Sequence, residues 1–140
     1  MKKRKHKPKK VAYLQGWGTY TNQTLVLVGM SFNEILAHLK RIRADIEVAK
    51  EFAKSKEELV AYMEGKCSFA FSHDARTILW FPEWKNDWKH WDTLVHEVCH
   101  MVHSVLGKSK NMMGEDEARA YQTEYLFREI RLKLLHKTEL

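Results

Sequence analysis

The hydrophobic pattern in the first third of the chain is the strongest constraint on the fold. Thr24-Leu25-Val26-Leu27-Val28 is an uninterrupted run of strand-forming residues that ends at Gly29. Directly afterwards, apolar residues recur every three or four positions, which is the period of an amphipathic helix. They are Phe32, Ile35, Leu36, Leu39, Ile42, Ile46 and Ala49. The pattern predicts one long helix whose apolar face docks on a sheet.

Capping boxes mark two expected helix starts. Ser31 and Glu34 have the spacing at which each side chain bonds the backbone N–H of the other residue. This pair predicts the start of the long helix. Ser55 and Glu58 repeat the pattern and predict a shorter helix that ends near Gly65.

Residues 67–82 predict a β-hairpin. Phe69 and Phe71 alternate with small or polar neighbours, residues 73–76 supply a turn, and Thr77–Phe81 forms the return strand. The proline that follows cannot donate to a ladder, so it ends the strand.

Two further helices are expected in the second half of the chain. The first spans residues 92–106 and stops at a glycine, and the last spans residues 114–136. Ahead of them, Trp84, Trp88 and Trp91 are spaced by four and three residues. That spacing favours a stripe facing the core over an aromatic cage for a ligand. The fold class is therefore α+β.

The positive charge of the chain is confined to its first ten residues. The 140-residue chain has a net charge of +6, but residues 1–10 hold seven Lys or Arg and no acid. We therefore expect a basic disordered tail over residues 1–10 and one domain over residues 11–140. The tail is either a solvated arm or a weak contact for nucleic acid and acidic surfaces.

No export signal or membrane span is recognised in the sequence. The residues after the tail do not reach the 7–15 apolar positions of a signal peptide core, and no apolar run approaches the roughly 20 residues of a span. Cys67 and Cys99 form no CxxC motif and are expected to be buried free thiols. These features predict a cytoplasmic protein with no membrane contact.

The segment His96-Glu97-Val98-Cys99-His100 carries the chemistry. Residues four apart on a helix lie about 40° apart and one turn along, so both imidazoles project from one face and can bind one metal ion. Glu97 lies one residue step around the helix, within reach of a metal-activated water whose proton it would accept. The alternative is a pair of ordinary histidines one turn apart.

A catalytic zinc needs a third protein ligand and one open position. The best source is the last helix, where Glu115 and Glu117 lie about 200° apart, so only one can face the ion. Glu117 is favoured because Ala120 permits close approach of the helices and Tyr121 could bond a ligand. The alternative for each of these acids, Asp116 included, is a solvated side chain at the helix N-terminus, where the helix dipole favours negative charge.

His103 shares a helix side with His96 but lies about a turn beyond His100. It would reach the same ion only if the helix unwound. It is expected to support the site from outside the ligand set, to face the substrate, or to be merely structural.

The motif His96-Glu97-x-x-His100, followed by Glu117-x-x-Ala120-Tyr121, resembles that of small gluzincin-type zinc metallopeptidases, similar to those encoded by phages and prophages. The resemblance covers about residues 67–135. It implies a zincin-like core with one Zn²⁺ per chain, held by His96, His100 and Glu117, and Glu97 as general base. It also implies that an extended substrate pairs with the strand before the active helix, here Thr77–Phe81.

Two functions are carried forward from the sequence. The first is a metallopeptidase that hydrolyses peptide bonds of a peptide or protein substrate. The second is an inert, metal-stabilised binding module held on nucleic acid by residues 1–10. A protease of nucleoprotein targets ranks below both, since no third histidine follows Gly107 at the distance that such proteases use.

Overall fold

The computed structural model describes the chain in six segments. Their backbone covers residues 9–18, 20–41, 46–54, 69–73, 76–106 and 115–138. The side chains described are those of residues 9–18, 20–41, 49–54, 77–106 and 118–137. The predicted helix of residues 55–65, the basic tail up to residue 8, and Cys67 lie outside the described residues.

Four strands form one mixed sheet in the order β1-β2-β4-β3. They are β1 (Val11–Trp17), β2 (Tyr20–Val28), β3 (Phe69–His73) and β4 (Arg76–Phe81). The β1–β2 and β3–β4 pairs are antiparallel, whereas β2 and β4 are parallel. A parallel pair needs a crossover connection, and two helices lie in the chain between these strands.

Four helices are described. They are α1 (Phe32–Arg41), α2 (Ile46–Lys54), α3 (Trp88–Leu106) and α4 (Glu115–Thr138). The α+β class, the β3–β4 hairpin and the last two helices are confirmed, with boundaries that differ by a few residues. The Ser31–Glu34 capping box is also confirmed: the Glu34 N–H donates to Ser31 Oγ at 3.2 Å and the Ser31 N–H to Glu34 Oε1 at 3.3 Å.

The two central strands are buried on both faces. Val26, Val28, Leu79 and Phe81 face one core, which α3 and α4 cover. Leu25, Leu27, Ile78 and Trp80 alternate with them and face a second core, which α1 and α2 cover. The uninterrupted apolar run of β2 arises because successive side chains point to opposite, equally covered faces.

The single long helix expected after β2 is wrong, because the segment forms two helices that fold back on one another. The rings of Phe32 and Phe52 stack with centroids 4.5 Å apart. In one continuous helix, residues 20 positions apart would be separated by about 30 Å. A periodic pattern cannot report such a reversal, since both helices turn their apolar faces to the same core.

The expectation that an extended substrate pairs with Thr77–Phe81 is also wrong. Strand β4 is hydrogen-bonded on both sides, by β2 and by β3. Its backbone groups are already used in the sheet, so no further strand can be added there. The edges of the sheet are β1 and β3.

Two predictions of burial fail at the surface of α3. Trp88 is 76% exposed and stacks edge-to-face on Trp91, so it is not part of a core-facing stripe, whereas Trp84 is buried. Cys99 is a free thiol as expected, but it is exposed. Both residues lie on the side of α3 that faces away from the sheet.

The stacked Phe32–Phe52 pair gives a test of the helix reversal. We expect Phe52→Ala to lower the free energy of unfolding by about 3–5 kcal/mol, because it removes a fully buried aromatic ring. Lys54→Ala, at an exposed position of the same helix, should change it by less than about 0.5 kcal/mol. Urea denaturation measures both, and equal effects would contradict the described packing.

Candidate metal site

The site is carried by the outward side of α3. Its inward side is fixed to the sheet by four buried apolar residues, Leu94, Val98, Met101 and Val102. The opposite side carries His96, Cys99, His100 and His103, all exposed. A helix with one apolar side must orient in this way, so packing on the sheet determines the direction in which the imidazoles point.

Asp87 fixes the start of α3. Its Oδ1 accepts the backbone N–H of His90 at 2.9 Å and lies 2.6 Å from the Nδ1 of the same residue. The His90 backbone N–H, followed by its side chain, is the main cause of the lowered pKa of the Asp87 carboxyl. This cap explains why the helix begins at Trp88, four residues before the predicted start.

The two histidines of the motif converge. His96 Nε2 and His100 Nε2 lie 3.0 Å apart, and the ring planes are inclined by 81°. At this separation the nitrogen atoms either share one hydrogen or direct both lone pairs at a common cation. The spacing of four residues therefore brings together the same ring atom of both side chains.

The separation fits a metal-binding pair. Two ligand nitrogens at 2.0–2.1 Å from a tetrahedral zinc ion are about 3.3 Å apart. The observed distance is within a few tenths of an ångström of this value. Among the described residues, however, no set of three or more His, Cys, Asp or Glu side chains is grouped so that it could hold a metal ion.

A cleft of about 470 Å³ opens beside the pair, between α3 and α4. From α3 it is lined by His96, Cys99, His100, Val102 and His103, and from α4 by Arg119, Ala120 and Thr123. No carboxylate is among these lining residues, so the described part of the cleft contributes only neutral or cationic side chains.

Glu97 occupies a different environment from the two histidines. It is buried, with 3% of its surface exposed, and it is not among the described residues that line the cleft. A buried carboxylate requires compensating interactions, and this one has contacts within the protein. The geometry therefore brings His96 and His100 together and leaves Glu97 on the adjacent, covered side of the helix.

The predicted third ligand lies where only the backbone is described. Glu115 and Glu117 are in the first turn of α4, as expected. The positions 4, 7 and 11 residues after Glu117 are all exposed, namely Tyr121, Glu124 and Arg128. These three described positions share the backbone register of Glu117.

The register of the cleft-lining stripe leads to a different acid. Arg119, Ala120 and Thr123 follow Asp116 by three, four and seven residues. Positions with these spacings share one helical face. Asp116 therefore shares the backbone register of the residues that line the cleft, whereas the motif resemblance implies Glu117 as the ligand.

The two other residues considered for the site, His103 and Tyr121, line different pockets. His103 lines the cleft beside the His96–His100 pair. Tyr121 lines a separate pocket beside the β1–β2 turn, not the cleft. The sequence reasoning missed Arg119 and Cys99 as lining residues. Arg119 follows Asp116 by three residues, and Cys99 follows His96 by three. This helical spacing was the sequence signal that could have identified both.

No protein-family model, curated protein or solved structure matches this chain significantly. In the described part of the chain, no helix is long and apolar enough to cross a membrane. The assignment of the site thus depends on its own geometry.

The Asp87 cap gives a pH-dependent prediction. The pKa of Asp87 is lowered in the folded state, so its ionised form stabilises the fold. This stabilisation is fully present at pH values above the ordinary Asp pKa near 3.9. It is lost as the pH falls through the pKa of the folded state. Asp87→Ala should lower the melting temperature by roughly 2–6 °C at pH 7, and the difference from wild type should shrink towards pH 3.

Asp92→Ala is the matched control, since this exposed acid lies within α3 and not at its cap. Calorimetric melting curves between pH 7 and pH 3 measure both variants. A difference for Asp87→Ala that stays constant over this range would contradict the role of the ionised cap.

Proposed function

We propose that this protein is a zinc-dependent hydrolase of peptide bonds, with His96 and His100 as metal ligands. The observation that supports this most is the 3.0 Å approach of the two Nε2 atoms on the exposed side of α3. Two imidazoles without metal can share one hydrogen at this distance, and the same separation is close to that of two ligand nitrogens on one tetrahedral zinc ion. The adjacent cleft gives a substrate access to these nitrogens.

A carboxylate from the first turn of α4 completes the proposed ligand set. Glu117 is the candidate from the motif and Asp116 the candidate from the helical register, with Glu115 as the third. When bound, zinc supplies a Lewis acid that polarises the scissile carbonyl and makes water more acidic. Two imidazoles and one carboxylate leave one position open for this chemistry.

Glu97 is the proposed general base and acid. Its carboxylate would accept a proton from the attacking water and deliver it to the amine nitrogen that leaves.

The edge strand β3 is the proposed docking site for an extended substrate. The edge of β3 that faces away from β4 is not paired within the described sheet, and α3 packs against this strand. Backbone hydrogen bonds to an edge strand bind a peptide largely independently of its side chains. This replaces Thr77–Phe81, whose backbone is used on both sides.

Metal content of purified variants tests the ligand set. The wild type should retain about one zinc per chain after dialysis, and His96→Ala and His100→Ala should retain almost none, because one imidazole cannot hold the ion. His103→Ala is the matched control and should keep its zinc. Equal zinc in His96→Ala and wild type would contradict the proposed site.

The same assay identifies the acid. Glu115→Gln, Asp116→Asn and Glu117→Gln remove one carboxylate each while keeping side-chain size. We expect one of the three to lose zinc and the other two to keep it. Loss in Glu117→Gln supports the motif, loss in Asp116→Asn supports the helical register, and retention in all three contradicts a ligand from this turn.

Hydrolysis is tested separately with Glu97→Gln. This variant should keep zinc but lose at least about 10²-fold in the rate of cleavage of a fluorogenic peptide library, since general acid–base catalysis contributes 10²–10⁴-fold. Glu124→Gln, at an exposed position of α4, should cleave at the wild-type rate. Undiminished activity of Glu97→Gln would overturn the proposed mechanism.

A further inference from the structure

The positive charge of the folded domain is concentrated in the last turns of α4. Residues 128–137 hold four Lys or Arg and one acid, whereas the other residues after position 10 hold 13 Lys or Arg and 17 acids. This part of α4 is therefore strongly cationic, although the rest of the domain has an excess of acids. The four cations are Arg128, Arg131, Lys133 and Lys137.

The fold brings these cations to the point where the basic tail enters β1. The Nζ atoms of Lys133 and Lys137 lie 5.7 and 5.3 Å from the centre of the Tyr13 ring, which belongs to β1. Lys9, an exposed residue of the tail, precedes Tyr13 by four residues. Four residues span at most about 14 Å of extended chain. Two cationic segments from opposite ends of the sequence thus lie side by side.

None of the four cations of α4 forms an ion pair with a described residue. Lys133 Nζ donates to Gln15 Oε1 at 2.7 Å. The Arg131 guanidinium lies over the Trp91 ring, 5.0 Å from its centre. Neutral partners of this kind orient the side chains but leave their positive charge uncompensated. The surface therefore favours an anionic binding partner.

The cations lie on both flanks of the exposed side of α4. The apolar residues of the helix are buried on the sheet, so its opposite side faces solvent. Arg131 projects towards Trp91 of α3, whereas Lys133 and Lys137 project towards β1. A helix with its side chains is about 10–12 Å across, and the major groove of B-form DNA is about 12 Å wide. The flanking cations therefore match the phosphate backbones on the two borders of this groove.

Two other anionic surfaces fit less well. Helices that bind a membrane surface insert an apolar face, but that face of α4 is packed on the sheet through Leu126, Ile130 and Leu134. Within residues 128–137, all of whose side chains are described, Leu132 is the one large apolar side chain that is exposed. A-form RNA has a deep, narrow major groove that side chains cannot read. Duplex DNA, with one negative charge per about 1.7 Å of its axis, fits both the charge and the width.

We propose that the second half of α4, together with the adjoining basic tail, binds the phosphate backbones of double-stranded DNA. The exposed side of α4 lies along the major groove, with Lys133 and Lys137 at the phosphates of one strand and Arg131 at those of the other. The contact involves neither the histidine cleft nor a metal ion, so it is independent of the proposed hydrolytic activity. It extends the contact expected for residues 1–10 to a surface of the folded domain.

The test is a titration of a fluorescent duplex DNA with metal-free, full-length protein, followed by fluorescence anisotropy between about 50 and 200 mM KCl. Kd should rise steeply with salt, because each phosphate contact releases a bound counterion. Lys133→Gln/Lys137→Gln should raise Kd at least about five-fold and reduce the slope of log Kd against log salt by about two. Lys137→Gln alone, at an exposed position, should reduce this slope by about one.

Lys40→Gln/Lys54→Gln is the matched control. It removes the same charge from exposed positions of α1 and α2, which cover the other face of the sheet. Its Kd should stay within about two-fold of the wild-type value, because these positions lie away from the proposed contact.

Three further probes test the choice of partner at the same salt concentrations. They are duplex RNA of the same sequence, vesicles that contain phosphatidylserine, and polyglutamate, and each should bind more weakly than the DNA duplex. The proposal is overturned if the wild type shows no salt-dependent binding of duplex DNA, if Lys133→Gln/Lys137→Gln binds like Lys40→Gln/Lys54→Gln, or if one of the three probes binds as tightly as the DNA.

Discussion

The packing of α3 on the sheet is the interaction on which the rest of the structure depends. Leu94, Val98, Met101 and Val102 seal one side of the helix against Val26, Val28, Leu79 and Phe81. Burial of this size cannot be exchanged for another orientation of the helix without exposing the core. The opposite side must then face solvent, and the two converging imidazoles lie there.

The start of α3 is fixed as firmly as its orientation. Asp87 caps the helix and contacts the His90 ring, which in turn lies edge-to-face on the buried Trp84. Trp84 packs in the same manner on Phe81, the last residue of β4. A short chain of contacts thus joins the end of a central strand to the first turn of the helix, so the position of His96 along α3 is set by the sheet.

Local patterns predicted the elements of this fold better than their arrangement. The spacing of Ser31 and Glu34 and the alternation near Phe69 correctly indicated a helix start and a hairpin, because these depend on neighbouring residues. The reversal between α1 and α2 could not be read from periodicity, which is the same for one helix or for two that share a core. Asp45, a favoured N-cap residue type directly before Ile46, was the available signal.

For the candidate site, too, the features within one helix were predicted better than those that depend on how two helices pack. The four-residue spacing of His96 and His100 is a property of one helix, and their Nε2 atoms lie 3.0 Å apart. The acid from α4 depends on how two helices pack, which neither spacing nor composition fixes. The residues of α4 that line the cleft became known only from the structure, and Asp116 shares their backbone register, whereas the motif favours Glu117.

A second, mainly aromatic pocket lies on the other flank of α4. The core-facing residues of this helix, Leu126, Ile130 and Leu134, hold it on the sheet, while its first turns separate two cavities of different character. One is lined by imidazoles and a guanidinium, and the other by phenols and an amide.

The most direct test of the central claim is X-ray absorption spectroscopy at the zinc edge of the zinc-loaded, full-length protein. The proposed site predicts a first shell of nitrogen and oxygen atoms only, at about 2.0–2.1 Å, with the outer-shell scattering of two imidazoles. A sulfur shell near 2.3 Å, from Cys99 or Cys67, or outer-shell scattering from fewer than two imidazoles would contradict the proposed His96–His100 site.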